Sequence, residues 1–158
     1  MKKILLLLLL GLVSCSKDEY TPVERGNINY PSFDTSKMIG AWVYETMTFN
    51  GETFPYPHNP NCTKDVFGFF NTEGRRFLYD EIIHVNDECS VSQTNLEWKV
   101  NGDKLIFYFG EQLVLIYTVI SIDDDYFIVR RIADFNDDGI EDTLEIKAKR
   151  EDPFGWFN

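Results

Sequence analysis

The sequence predicts an all-β domain, an eight-stranded antiparallel up-and-down meander closing into a barrel. Three observations carry this expectation. From Met38 onward the chain is a succession of short runs rich in β-branched and aromatic residues, separated by turn chemistry. No stretch sustains a helical period. Eight antiparallel strands in an open sheet leave two raw edges, and closure removes both. A β-sandwich is the competing architecture.

The runs fall at about 39 to 49, 65 to 71, 75 to 81, 93 to 100, 103 to 110, 112 to 121, 125 to 133 and 143 to 150. Asn50-Gly51, Asn101-Gly102 and Asp138-Gly139 tolerate positive φ and favour hairpins, and Thr72-Glu73-Gly74 and Asp123-Asp124-Asp125 serve similarly. The last run alternates, with Leu144, Ile146 and Ala148 on one face and Glu145, Lys147 and Lys149 on the other, so it has a dry and a wet side. Leu105 to Phe109 and Leu113 to Tyr117 are apolar on both faces, so their outer side needs a cover. The tail Pro153-Phe154-Gly155-Trp156-Phe157 is expected to dock there, with another protein chain as the alternative.

Ahead of this domain, Lys2 and Lys3 precede an unbroken apolar run from Ile4 to Leu10, Gly11, Leu12 and Val13, then Ser14-Cys15. The run is shorter than the roughly 20 residues of a spanning helix and has the build of a signal segment. Its end resembles the lipobox of bacterial lipoproteins, which implies cleavage after residue 14 and lipidation of Cys15, holding the protein at a membrane without crossing it. An ordinary secretory signal ending in an incidental cysteine is the plainer alternative. Ser16-Lys17-Asp18-Glu19 resembles the signal that sends lipoproteins of one phylum of gut-dwelling Gram-negative bacteria to the outer face of the outer membrane. A periplasm-facing anchor is the other address. Residues 15–36 are polar, carry Gly26, Pro22 and Pro31, and read as a flexible tether, leaving 37–158 as one domain.

The chain of 158 residues has a formal net charge of −11. Loss of Lys2 and Lys3 with the signal leaves 13 basic against 26 acidic side chains, a balance that repels phosphate backbones and makes nucleic acid a poor partner. With Cys15 lipidated, Cys62 and Cys89 are the remaining thiols, outside the reducing cytoplasm, and a disulfide between them is expected. A metal site shared with His58 and His84 is the rival, but it lacks close ligand spacing.

Met38-Ile39-Gly40-Ala41-Trp42 resembles the Gly-x-Trp opening of the lipocalins. The cysteine-bearing loop near Cys62, the second cysteine at Cys89, the Trp-bearing strand at Leu96-Glu97-Trp98 and the pair of runs 103 to 121 follow in the order of the lipocalin-like domains of bacterial surface lipoproteins. The resemblance covers about residues 37 to 150. It implies an eight-stranded barrel with Trp42 at its closed base and a basic residue over it, a position that Arg150 matches. It also implies that the connection Gly51 to Pro60 lies over the mouth. Such a barrel is either solid or holds one small ligand. Trp42, Tyr44, Trp98, Phe107, Tyr108 and Tyr117 are the candidate pocket residues for an apolar or amphiphilic molecule, and core packing is the plainer role for the same six.

Asp134-Phe135-Asn136-Asp137-Asp138-Gly139-Ile140-Glu141-Asp142 matches the D-x-N-x-D-G-x-x-D pattern of calcium loops and resembles those of dockerin, thrombospondin type 3 and integrin-propeller repeats. Asp134, Asn136, Asp138, Asp142, the Ile140 carbonyl and Glu145 form the expected donor set, as a staple on a β-hairpin. A solvated Asp-Gly turn is the bland alternative. No Gly-x-Ser-x-Gly elbow, Gly-rich phosphate loop or His-Glu-x-x-His is present, and His58 and His84 read as surface residues of polar loops, so no enzyme is expected. Two function classes follow: an envelope-anchored ligand binder, and a solid interaction module or subunit of an outer-membrane complex.

Overall fold

The computed structural model describes residues 31–157. Cys15, the expected signal segment and the tether as far as residue 30 lie outside the described residues. Nine strands run in order: β1 (Gly40–Phe49), β2 (Glu52–Pro55), β3 (Val66–Phe70), β4 (Leu78–His84), β5 (Val91–Asn101), β6 (Lys104–Phe109), β7 (Gln112–Ile122), β8 (Tyr126–Ala133) and β9 (Asp142–Arg150). From β3 to β9 each strand pairs antiparallel with the next, β3 also pairs with β1, and β9 returns to β1 from Trp42↔Arg150 to Phe49↔Leu144. Eight strands, β1 and β3 to β9, therefore close into a lipocalin-like barrel with no free edge among them.

The ninth strand was not expected. Asn50-Gly51 turns the chain through left-handed φ values, 47° and 89°, and β2 then pairs with the upper half of β1, from Phe49↔Glu52 to Thr46↔Pro55. Its Pro55 argues against a strand, yet a short edge strand tolerates it because one side of its backbone needs no partner. The third run also moves, from 75–81 to Leu78–His84. Residues 71 to 77 are spent on turns, with Arg75 N–H donating to the Thr72 carbonyl and Phe77 at φ 59°. Between β5 and β6, Asn101 pairs with Lys104, so the two-residue loop is Gly102-Asp103 rather than Asn101-Gly102.

The base is closed in part by the last residues of the expected tether, Asp34 to Ser36. The Asp34 carboxylate accepts the Ser36 N–H at 3.0 Å and caps a 3-10 helix, Thr35–Met38, whose Met38 is fully buried. Trp42, also fully buried, donates its indole N–H to the Met38 carbonyl at 2.9 Å. The Arg150 guanidinium lies 4.1 Å from the Trp42 ring and donates to the carbonyls of Lys37, Ile39 and Asp124. Gly40 sits at φ 139°, and a Cβ there would collide with the Arg150 guanidinium, which explains the glycine two residues before the tryptophan. Above this floor Phe69, Phe127, Trp98, Leu105 and Phe107 fill the lower barrel.

The C-terminal tail docks elsewhere than expected. Asp152 accepts the N–H groups of Trp156 and Phe157, both at 2.9 Å, and aims their rings at the outer face of β1, β3 and β4. There they cover Ala41, Val43, Val66 and Ile82, and Phe157 stacks on Phe70 at 4.7 Å. Gly68 makes room, since a Cβ at that position would lie 2.8 Å from the Trp156 ring. The outer face of β6 and β7 is left without the tail. Its cross-strand pairs Ile106↔Ile116 and Tyr108↔Leu113 turn outward, and Ile116 is 42% exposed.

Candidate ligand-binding site

β1, β4, β6 and β8 run from base to mouth, so the segment from Asn50 to Asp65, residues 85 to 90, the turn at Gly110 and the loop 134 to 141 ring one open end. Cys62 and Cys89 form a disulfide across two of these connections, 5.5 Å between Cα atoms. The bridge removes the rival metal site, and neither histidine is a free surface residue: His58 is half-buried and the side chain of His84 is buried. His58 Nδ1 accepts the Asp65 N–H at 3.1 Å and its Nε2 lies 2.7 Å from the Tyr44 carbonyl. His84 is 5% exposed, and both its backbone N–H, at 2.8 Å, and its Nδ1, at 3.0 Å, meet the buried Asp65 carboxylate. Both histidines thus pin the chain across the mouth, His84 through the Asp65 carboxylate and His58 through the Asp65 backbone N–H, a pairing that loop composition could not reveal.

Below the mouth lies a cavity of about 210 Å³. Phe67, Phe69, Phe107 and Phe127 form its lower wall, and Leu96, Leu115, Val129 and Ile146 its sides. Val114, 49% exposed, stands at its rim. Of the six predicted pocket residues, Tyr44, Phe107 and Tyr117 line it. Trp42 and Trp98 do not, because they lie in the packed base, where Trp98 donates to the Leu78 carbonyl at 3.0 Å. Tyr108 faces outward beneath the Lys99 ammonium, 4.7 Å from its ring, because it alternates with the inward Phe107 on β6, and the extra residue of the neighbouring bulge lies on β7.

The polar part of the wall was not foreseen. Tyr79 and Glu81 point inward from β4, with Thr94 opposite on β5. The Tyr44 hydroxyl donates to the Glu81 carboxylate. Burial pushes the Tyr44 and Tyr79 phenols well above the ordinary tyrosine range, and the neighbouring Glu81 charge adds to both. Tyr117 moves the same way, through burial, although Arg131 opposes the shift. All three phenols therefore stay neutral near pH 7. Tyr56 stacks on Tyr44 at 4.6 Å and brings the first connection over the cavity. The alternation Tyr79, Glu81, Ile83 against Asp80, Ile82, His84 is mixed on both faces, so the inward face cannot be assigned until β4 is paired with β3.

The acidic loop between β8 and β9 departs from the expected six-donor set. Glu145 pairs with Arg130 at 3.0 Å on the outer wall. Asp142 is buried, accepting from Asn50 Nδ2 at 2.7 Å and from the Phe135 N–H at 3.1 Å. Asp134 accepts the N–H groups of Asp138 and Gly139, Asn136 accepts the Asp138 N–H and donates to the Asp138 carboxylate, and Asp138 accepts the Ile140 N–H. Ile140 itself is exposed. Among the described residues no group of three or more His, Cys, Asp or Glu side chains is gathered as a metal ion requires.

No protein-family model matches the sequence, and no curated protein matches it. Among solved structures the chain is similar to Per a 4, a major allergen from cockroaches, at 16% identity over 79% of this chain and 73% of that one, with a TM-score of 0.54. It is also similar to insecticyanin from the tobacco hornworm Manduca sexta, at 14% identity and a TM-score of 0.54, covering 77% of this chain and 65% of that one. A lipocalin-like protein from Bacteroides uniformis aligns at 8% identity over 73% of this chain and 98% of its own, with a TM-score of 0.48. At such identities the first two likenesses are likenesses of fold.

Proposed function

We propose that the barrel binds a small apolar or amphiphilic molecule in its interior, on a protein tethered to the bacterial outer membrane through lipidated Cys15. The observation that carries the binding reading is the aromatic-walled cavity beneath the disulfide-bridged mouth. Its volume of about 210 Å³ lies below the roughly 300–1,000 Å³ of drug-sized sites, which favours a compact ligand. Incubating the full chain with lipid and glycan extracts and releasing bound matter for mass spectrometry recovers one enriched small molecule. Repeated recovery of empty barrels overturns the reading.

The anchor rests on the lipobox alone. Metabolic labelling with palmitate marks the wild-type chain and leaves Cys15→Ser unlabelled, and an unlabelled wild type removes the anchor from the account. A second role, as a subunit of an envelope complex, is favoured by the uncovered apolar face of β6 and β7, and cross-linking in intact cells then returns one recurrent partner through that face. A calcium ion at the β8–β9 hairpin is a separate proposal, supported by the spacing of Asp134, Asn136 and Asp138. Calorimetric titration of chelator-treated protein gives heat with the wild type and none with the Asp134→Ala, Asp138→Ala double variant, and equal heats remove the ion.

A further inference from the structure

We infer that the cavity selects a small ligand carrying a protonated amine, with the Glu81 carboxylate as its counter-ion and the surrounding rings as its seat. The inference rests on the ligand-binding reading and names the chemical class of the occupant.

Glu81 is the one acidic side chain in the cavity wall, and it stands among Tyr44, Phe67, Tyr79 and Tyr117. A carboxylate offers about four lone-pair sites. Tyr44 donates to it and Tyr79 stands beside it in the wall, which leaves acceptor capacity on the cavity side. Among the described residues no Lys, Arg or His forms a salt bridge with it, although seven such pairs exist elsewhere on the barrel. Arg131 acts on Tyr117 but does not line the space, and its guanidinium lies 5.1 Å from the Phe135 ring. Among the described residues the cavity wall therefore holds one carboxylate and no basic side chain.

Glu81 is half-buried and has no ionic partner, and a ligand cation that reaches it forms that pair while bringing its own apolar body into the aromatic wall. Ring faces attract the same cation through their quadrupoles. A fatty acid or another anion meets like-charge repulsion at the same position, and a neutral alcohol gains a hydrogen bond without the ion pair. The shape sets the size, because a space of about 210 Å³ bounded by Phe69 and Phe107 below suits one ring and a short chain.

Three probes of one shape separate these cases: phenethylamine, 2-phenylethanol and 3-phenylpropanoate, each titrated calorimetrically into the full chain at pH 7. The expected order is amine, then alcohol, then acid, with the amine at least about tenfold tighter than the alcohol. Glu81→Gln keeps an acceptor for the Tyr44 hydroxyl and brings amine and alcohol within about twofold of each other, and Glu81→Asp keeps the amine preference. Alcohol or acid binding as tightly as the amine in the wild type overturns the inference and leaves the binding reading standing, without need of any variant. Undiminished amine preference in Glu81→Gln also overturns it. Failure of all three probes to bind brings down the cavity reading as well.

Discussion

Arg150→Ala is expected to lower the unfolding free energy by about 3 kcal/mol, the largest single-residue effect outside the aromatic core. The guanidinium makes hydrogen bonds of 3.0 Å to the Ile39 carbonyl, 2.5 Å to that of Lys37 and 2.7 Å to that of Asp124, and it covers the Trp42 ring. Hydrogen bonds from a charged donor contribute about 1.5–3 kcal/mol each and a cation over a ring about 0.5–2 kcal/mol. The sum overstates the loss, because the freed carbonyls at the base reach water and the arginine itself no longer pays desolvation. Arg150→Lys recovers less than half of it, since one ammonium cannot span three carbonyls set around a ring. Urea unfolding followed by tryptophan fluorescence checks this, with the midpoint falling at an unchanged slope. A loss under about 1 kcal/mol would show that the 3-10 helix and Trp42 hold the base closed without it.

Removal of the disulfide should cost about 3.5 kcal/mol, the value expected from chain entropy for cysteines 27 residues apart. The bridge ties the connection after β2 to the connection after β4, and the contacts parallel to it are modest: Asn59 Nδ2 donates to the Asn86 carbonyl at 3.0 Å and to the Asp87 carboxylate at 3.1 Å. These lie on exposed loops and cannot replace a covalent link. The Cys62→Ala, Cys89→Ala double variant therefore melts lower than the wild type, and reductant lowers the wild type to the same point while leaving the variant unmoved. An unchanged melting temperature in the double variant would mean that the His84–Asp65–His58 contacts already fix the mouth. The bridge stands apart from Glu81, so the same variant separates stability from ligand choice.

The uncovered face of β6 and β7 and the covered face of β1, β3 and β4 show where local reading stops. In the sequence only the runs of β6 and β7 read as apolar on both faces, with the aromatic tail as their expected cover. Which face the tail meets depends on where β9 ends, and Arg150 ends beside Trp42, on the β1 side of the barrel. The segment from Glu151 then reaches β1 first, its N–H donating to the Ala41 carbonyl at 3.2 Å.

By itself the sequence determined the eight barrel strands, most of the turns, the Cys62–Cys89 pair and the partnership of Arg150 with Trp42. Each of these is written in short-range pattern, in cysteine arithmetic or in a resemblance carried by a few residues. Tertiary structure decided what the interior contains. Strand alternation gives two faces but not which is inward, and the bulge on β7 opposite Phe107 and Tyr108 breaks the alternation there, so that Val114 and Leu115 both border the cavity. So Tyr108 faces out, Trp98 joins Trp42 in the packed base, and Glu81, at the boundary of a strand placed three residues early, is the carboxylate of the cavity wall. The acidic loop followed the same logic, because Asn50 and Arg130, distant in sequence, claimed Asp142 and Glu145 once β9 lay between β1 and β8. Hydrogen-bond and charge partners are chosen by proximity in space, and closure of the barrel is what sets that proximity.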